Sequence, residues 1–172
     1  MADLREICRQ AGFERIETYV ASGNVVFDSG SAWGAVQAEL AARLQSYAGK
    51  AMGVVIRAAA EMAAVLASNP FAGRDPQRTY AIFLDEPPPV AALVQVSGRR
   101  DEEVRLGGRE IYVHYPSGMG GSKLRIPAAK TGTARNMNTV AKLVEMIAGR
   151  QKMSDASRAP RGFHRRERGC VR

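Results

Sequence analysis

The chain has 172 residues, of which 45% are hydrophobic, and a formal net charge of +8. This length suffices for one large or two small domains, and the hydrophobic fraction excludes wholesale disorder. The charge is uneven, because residues 151–172 hold seven basic and two acidic side chains, a net +5 that leaves +3 for residues 1–150. The sequence therefore predicts a nearly balanced folded body followed by a basic tail.

Neither secretion nor membrane insertion is expected. The N-terminus has no apolar signal core, and the most apolar stretch, residues 51–67, is interrupted by Arg57 and Glu61. The two cysteines, Cys8 and Cys170, lie at opposite ends of the chain and have no zinc-like spacing. We therefore predict a cytoplasmic protein with no structural disulfide, no metal, no cofactor and no membrane partner.

The first 72 residues alternate between helical and extended patterns. Apolar residues at helical spacing predict helices at residues 3–10, 32–47 and 60–68. Runs rich in β-branched and aromatic residues predict strands at residues 15–21, 25–27 and 52–57. The turn at residues 22–24 joins the first two strands as a hairpin. This α-β-β-α-β-α order becomes a ferredoxin-like β-α-β-β-α-β unit if one strand precedes residue 1.

A linker at residues 73–77, without apolar period, separates the second half from the first. Beyond the linker the pattern predicts four strands and two helices. The strands are at residues 79–84, 103–106, 110–114 and 123–126. The helices are at residues 90–96 and 136–148, and Gly149 is predicted to cap the second of them.

The predicted fold class is α+β, with two small ferredoxin-like α/β-sandwich lobes, the first of which lacks its opening strand. The first lobe spans residues 1–72 and the second spans residues 78–150. Residues 151–172 are predicted to form a disordered basic tail, because no apolar period survives there.

The polar stretch at residues 131–139, which leads into the last predicted helix, is the best candidate binding site. Exposed N–H groups and the positive end of the helix dipole favour anions at a helix N-terminus. The guanidinium of Arg135 adds a planar fork of donors that fits phosphate or carboxylate. An ordinary helix cap needs only one such polar residue, so a cap and an anion cradle both remain open here.

Two other segments could complete the same pocket. The turn at residues 22–24 joins it if that turn faces Arg135 across the two lobes. Lys123 follows the glycine-rich bend at residues 118–121, which lacks the order of a phosphate-binding loop but leaves a cation for a ligand. The predicted ligand-binding residues are Ser22, Asn24, Lys123, Thr133, Arg135, Asn136 and Asn138. By contrast, Cys8 and Trp33 are predicted to be core residues, and His114 is predicted to be a structural residue of its strand.

Five motifs together resemble one known family. They lie at residues 1–4, 18–27, 69–71, 122–124 and 133–140. In this order and spacing they resemble the uncharacterised bacterial domain-of-unknown-function family 1697, over about residues 1–150. The resemblance implies a small cytoplasmic protein with no established activity. Family members usually begin with a strand and an Arg-Gly-Ile-Asn-like loop before the position of Met1, and they favour tryptophan at the position of Met137.

Three functions fit these residues. The leading hypothesis is a protein that binds a small anionic or phosphate-bearing ligand in a cleft between the lobes, since no activated nucleophile or acid–base pair is visible. The first alternative is an enzyme that acts on a phosphorylated or nucleotide-like substrate with the same polar residues. The second alternative is a nucleic-acid-associated protein that makes weak, salt-sensitive contacts through its basic tail.

Overall fold

Four α-helices and two antiparallel sheets make up the part of the chain that the computed structural model describes, residues 2–19 and 23–158. This mixture confirms the predicted α+β fold class, whereas the ferredoxin-like description of the lobes stays a prediction. The predictions for Ser22, Cys170 and residues 159–172 of the basic tail, with its nucleic-acid contact, lie outside the described residues.

The first sheet is an antiparallel hairpin covered on one face by two helices. Its strands are β1 (Glu14–Tyr19) and β2 (Asn24–Asp28), and its helices are α1 (Ala2–Gln10) and α2 (Trp33–Ala48). Their buried side chains form the first core, which comprises Ile7, Cys8, Phe13, Val36 and Leu40. The rings of Phe13 and Phe27 stack with centroids 4.3 Å apart. The helical and alternating patterns of the sequence therefore predicted this hairpin and its two covering helices correctly.

The second sheet has four strands in the order β4-β5-β3-β6, and every neighbouring pair is antiparallel. The strands are β3 (Thr79–Phe83), β4 (Glu103–Leu106), β5 (Glu110–His114) and β6 (Thr133–Asn136). Every residue of β5 is buried, as expected for an interior strand. The phenol of Tyr112 on this strand donates to the carbonyl of Val65 at 2.8 Å. Strand β4 lies at the edge of the sheet.

Helices α3 (Ala59–Ala67) and α4 (Met137–Arg158) pack together on one face of this second sheet. The second core lies between them and the sheet, and it comprises Met62, Val65, Phe71, Ala81, Phe83, Tyr112, Met137 and Val140. The opposite face carries a third core of Leu84, Val104, Ile111, Val113 and Tyr115. Helix α3 therefore packs on the second sheet, although the predicted lobe boundary places it in the first lobe.

Two predicted strands are wrong. Residues 52–57 belong to neither described sheet, and residues 123–126 form only an isolated bridge between Ser97 and Arg125. Residues 133–136, which were predicted to lead into a helix, instead form β6 beside β3. The cause is the same in each case. A strand forms only if a partner strand, often distant in sequence, pairs with it. The β-propensity of a segment indicates only that its side chains suit a half-buried sheet surface.

The last helix does not end at Ala148. Helix α4 continues through Gly149 to Arg158, so residues 151–158 are helical rather than disordered. A glycine inside a helix costs about 1 kcal/mol, and the buried side chain of Arg150 offsets this cost through its contacts with the first sheet. The predicted helix at residues 90–96 is likewise reduced to a 3₁₀ turn at Val90–Leu93.

Trp33 is not a core residue, contrary to the prediction. It is the first residue of α2 and 37% exposed, and the guanidinium of Arg109 lies 5.4 Å from the centroid of its ring. A cation–π contact of this kind stabilises a partly exposed aromatic ring without burying it. The predicted structural roles of the other two residues agree with their surroundings, because Cys8 is buried and His114 Nδ1 lies 2.9 Å from Thr79 Oγ1.

The stability of the first core is expected to fall as pH rises above 8, because of Cys8. Burial raises the pKa of its thiol to about 11 from the ordinary value of 9.0. Between these values the folded chain keeps a proton that the unfolded chain releases, so the free energy of unfolding falls by about 1 kcal/mol from pH 8 to pH 10. Urea denaturation of the wild type and of Cys8→Ala at both pH values measures this loss. Equal pH dependence of the two proteins would contradict the prediction.

Candidate functional site

Arg135 and Asn24 meet although 111 positions separate them in the sequence. The guanidinium Nε of Arg135 donates to Asn24 Oδ1 at 2.5 Å, and Nη1 donates to Thr133 Oγ1 at 2.7 Å and to the carbonyl of Ala134 at 2.8 Å. Asn24 is buried, and its amide nitrogen donates to the carbonyl of Tyr19 at 3.2 Å. Asn24 of the hairpin and Arg135 of the polar stretch therefore meet, which is the contact that the leading hypothesis requires.

The register of β6 explains why two predicted residues point the same way. Thr133 lies opposite Phe83 and Arg135 lies opposite Ala81 in the antiparallel ladder with β3. Side chains two apart on a strand share one face, and Phe83 and Ala81 belong to the second core. Both polar side chains therefore emerge on the face of the second sheet that carries the second core, and Arg135 meets Asn24 of the first sheet there. Burial lowers the pKa of Arg135 because it disfavours the charged form.

A cavity of about 800 Å³ lies beside this contact. Strand β2, residues 53–58, helix α2 and helix α4 contribute most of its lining, and α1, β1, α3, β3 and β6 contribute one or two residues each. The apolar lining residues of the four main segments include Val25, Val26, Phe27, Val36, Leu40, Leu44, Val54, Val55, Ile56, Leu143 and Ile147. The three predicted residues Asn24, Thr133 and Arg135 line the same cavity. This combination of mainly apolar walls and a few convergent polar groups is typical of small-molecule sites.

Cationic side chains outnumber anionic ones in the lining. The arginines are Arg15, Arg57, Arg135 and Arg150, and the one acidic lining residue among those described is Asp28. Arg15 and Arg150 both form ion pairs with Asp28. The lining side chains therefore carry more positive than negative charge, and Glu17, outside the lining, compensates part of it through its ion pair with Arg150. Reduced exposure to water strengthens electrostatic interactions there.

Arg150 is the most buried of these arginines, with 8% of its side chain exposed. Its Nη2 donates to Glu17 Oε1 at 2.7 Å and to the carbonyl of Val26 at 3.1 Å. Its Nη1 is buried without a hydrogen-bond partner in the described part of the chain, and it lies 3.5 Å from Asp28 Oδ1. A buried donor of this kind calls for an acceptor.

Arg57 is held by backbone carbonyls. It donates to the carbonyls of Ile56, Leu84 and Arg109. Burial, and then the neighbouring charge of Arg109, lowers its pKa. These hydrogen bonds end on neutral oxygens, and the nearby carboxylates of Glu61, Glu110 and Asp85 act in the opposite direction and favour its charged form.

The other predicted site residues lie elsewhere. Asn136 caps helix α4, because its Oδ1 accepts from the backbone N–H of Thr139 at 2.9 Å. The N–H of Met137 at the same helix end donates to the carbonyl of Pro76 at 3.1 Å. Asn138 and Lys123 are exposed and do not line the cavity. Two backbone N–H groups at this helix end, those of Met137 and Thr139, are therefore already hydrogen-bonded within the chain. Side-chain donors are better candidates than the helix end for holding an anion.

Sequence reasoning missed Arg15, Arg57 and Arg150 as lining residues. The local sequence around each arginine did not indicate a role in a cavity, because each lies in a segment that has the pattern of an ordinary strand or helix. Within residues 2–19 and 23–158, no group of three or more His, Cys, Asp or Glu side chains could hold a metal ion. Among the helices described, none is long and apolar enough to cross a membrane.

Comparison with known proteins gives a family and a fold. The family model described as "Protein of unknown function (DUF1697)" matches residues 1–112. The solved structure of the conserved bacterial protein SP0830 from Streptococcus pneumoniae is similar, with a TM-score of 0.71 and 24% sequence identity over 86% of this chain and 88% of that chain. At this identity the likeness shows a shared fold alone. No curated protein matches the chain.

Proposed function

The chain belongs to the DUF1697 family of proteins of unknown function, and we propose that it binds a small anionic, phosphate-bearing ligand in its cavity. The observation that carries this proposal is the contact of Arg135 with Asn24. This contact joins two distant polar segments at the wall of a cavity in which arginines outnumber acids. The buried, unpaired thiol of Cys8 supports a cytoplasmic location as part of the same proposal.

Charge favours an anion over a neutral ligand. Arg57 and Arg135 are both partly desolvated, which lowers their pKa values and makes their positive charges costly. A phosphate group would offset that cost, because a guanidinium binds phosphate through charge-assisted and often bidentate hydrogen bonds. Arg150 lines the same cavity and adds a positive charge, which pairs with Asp28 at 3.5 Å.

Size and polarity favour a small molecule with an apolar part. A volume of about 800 Å³ lies within the range of roughly 300–1,000 Å³ that is usual for ligand sites. Thr133 and Asn24 can orient the polar end of the ligand, whereas the aliphatic walls can cover the remainder. The proposed site therefore rests on Asn24, Thr133 and Arg135 from the predicted set, joined by Arg57 and Arg150.

Arg135→Ala is expected to abolish stabilisation by phosphate. At a phosphate concentration ten times its Kd, binding to the folded state adds about 1.4 kcal/mol, which raises the Tm of a chain this long by about 3–6 °C. Thermal denaturation of the full chain with inorganic phosphate, compared with chloride at equal ionic strength, measures this shift. The variant loses the shift because it lacks the planar fork of donors.

Lys142→Ala is the matched control. Lys142 is a partly exposed cation on α4 that pairs with Glu145, and its loss changes the net charge as Arg135→Ala does. The control is expected to keep the full phosphate shift. A shift that persists in Arg135→Ala, or that disappears equally in Lys142→Ala, would reject the proposed site.

A further inference from the structure

Two loops cover the face of the second sheet that carries the third core, and their charged side chains are all cationic. The loops span residues 87–100 and 116–132, and they contain no aspartate or glutamate. Their five cations are exposed and lie outside the lining of the cavity: Arg99, Arg100, Lys123, Arg125 and Lys130. The proposed ligand site therefore leaves this charge without a function.

Backbone hydrogen bonds hold the two loops side by side. Ser97 and Arg125 form an antiparallel bridge in which each N–H donates to the carbonyl of the other residue, at 3.0 and 2.8 Å. Next to the bridge the two backbones touch, because a Cβ on Gly98 would lie 2.1 Å from the carbonyl oxygen of Lys123. Residues 97–100 and 122–126 thus form one unit, the basic ribbon.

Side chains of residues 123–126 alternate between the core and solvent. The backbone is extended at both ends of this stretch, at Ser122 and Ile126. Leu124 and Ile126 pack against the third core, whereas Lys123 and Arg125 are exposed. Side chains two apart on an extended chain point the same way and lie about 7 Å apart. The two cations therefore stand next to each other on the outward side of the ribbon.

The ribbon is held together from the inside by Glu102, which is 3% exposed. The carboxylate of Glu102 accepts a hydrogen bond from the backbone N–H of Arg100 at 2.6 Å and another from the hydroxyl of Ser122. Its carbonyl accepts from Arg99 Nε at 2.7 Å. Glu102 thus ties one half of the ribbon to the other, so the backbone that carries the cations is fixed before a partner binds.

Positive charge exceeds negative charge in the ribbon even when the neighbouring acids are counted. Its four cations accompany two acids, the buried Glu102 and the exposed Asp101. The carboxylate of Asp101 accepts from the hydroxyl of Ser117 at 2.6 Å. Within the described part of the chain, no ion pair involves any of the four cations. Their positive charges are therefore available to a polyanion.

We infer that the basic ribbon binds the phosphate backbone of a nucleic-acid duplex. Cations on an exposed surface hold a single small anion weakly, because water and salt screen each pair. A duplex presents a row of phosphates, and each phosphate that is neutralised releases counterions and adds to the affinity. This inference goes beyond the proposed ligand and beyond the predicted tail contact, since it assigns nucleic-acid binding to the folded body.

The composition of the two loops favours a duplex over other polyanions. Neither loop contains an aromatic residue, and single strands are held largely by stacking on aromatic rings. The loops expose Val90, Val94 and Met119, but they lack the Trp and Phe anchors typical of membrane-surface segments. Charge therefore has to supply the binding, as it does in sequence-independent contact with a duplex.

Salt dependence counts the phosphates that the ribbon contacts. A fluorescein-labelled DNA duplex of about 20 base pairs is titrated with the full chain between about 50 and 200 mM NaCl and followed by anisotropy. Replacing both Lys123 and Arg125 with alanine is expected to lower the slope of log K against log salt by about 2, because each lost phosphate contact removes about 0.9. The affinity at about 100 mM salt is expected to fall at least about tenfold. The variant keeps the backbone groups of Arg125 that bridge to Ser97.

The double variant Lys50→Ala with Lys142→Ala is the matched control. It removes the same net charge from an exposed position after α2 and from α4, on the other face of the second sheet. The control is expected to keep the slope within about 0.5 of the wild type. The basic tail is present in every protein compared, so its contribution cancels from the difference. Equal losses in the two double variants, an unchanged slope without Lys123 and Arg125, or no duplex binding by the wild type would each overturn the inference.

Two further measurements separate the ribbon from other anion sites. The variant without Lys123 and Arg125 is expected to keep the phosphate-induced rise in Tm, and Arg135→Ala is expected to keep duplex binding within about threefold. Loss of both activities in either variant would overturn the inference, because one shared anion site would then explain them. Sedimentation with phosphatidylglycerol vesicles tests a lipid surface. Loss of vesicle binding with unchanged duplex binding, in the variant without Lys123 and Arg125, would also overturn it.

Discussion

Replacing Arg150 with alanine is expected to lower the free energy of unfolding by about 2–3 kcal/mol. Arg150 lies on α4, yet its guanidinium contacts Glu17 and the carbonyl of Val26 on the first sheet. Its side chain is 8% exposed and also lies within 3.5 Å of Asp28. The substitution therefore removes the arginine that attaches α4 to β1 and β2, and it leaves several acceptors without a donor. Urea denaturation of the full chain measures the loss.

Arg43→Ala is the control for this prediction. Arg43 forms an exposed ion pair with Glu39 one turn earlier in α2, and pairs of this kind contribute about 0.3–0.5 kcal/mol. A loss for Arg150→Ala no larger than the loss for Arg43→Ala would show that the buried contacts contribute nothing beyond a surface pair.

Ile111→Ala is expected to destabilise the protein by about 3–4 kcal/mol. Ile111 is on the interior strand β5, is completely buried, and belongs to the third core with Leu84, Val104 and Val113. Its truncation removes apolar contacts and leaves a cavity that a sheet with paired strands on both sides cannot close. Chemical denaturation of the variant and of the wild type gives the difference.

A graded series checks the cause of that loss. Ile111→Val removes one methylene group and is expected to cost about 0.5–1.5 kcal/mol. Val94→Ala, on a side chain that is 86% exposed, is expected to change stability by less than about 0.5 kcal/mol. Similar losses for Ile111→Ala and Val94→Ala would contradict the assignment of Ile111 to the core.

Local patterns predicted most helices and the strands of both hairpins. The apolar spacing of α2 and the Gly107-Gly108 turn between β4 and β5 depend on neighbouring residues, so sequence alone describes them. Pairing between distant segments could not be predicted in this way. Residues 52–57 have the composition of a strand but no described partner, while β6 has polar residues and pairs with β3.

The polar half of the candidate site could be predicted better than its walls. Asn24 and Arg135 lie in conspicuous polar segments, and the hypothesis that these segments face each other agrees with their hydrogen bond. Nothing local distinguishes Arg150 from the arginines that follow it in the sequence, because its burial depends on β1 and β2, more than 100 residues away in sequence. The walls therefore required the tertiary structure.

Strand β4 has a consequence for solubility. It forms one edge of the second sheet, and an exposed edge can recruit strands from other molecules into aggregates. Glu103 and Arg105 put opposite charges along this edge, and Arg74 pairs with Glu103 at 3.2 Å. A foreign strand that docked here would have to strip water from these charged groups. The edge is thereby protected against intermolecular sheet growth while Val104, between the two charges, still packs inward.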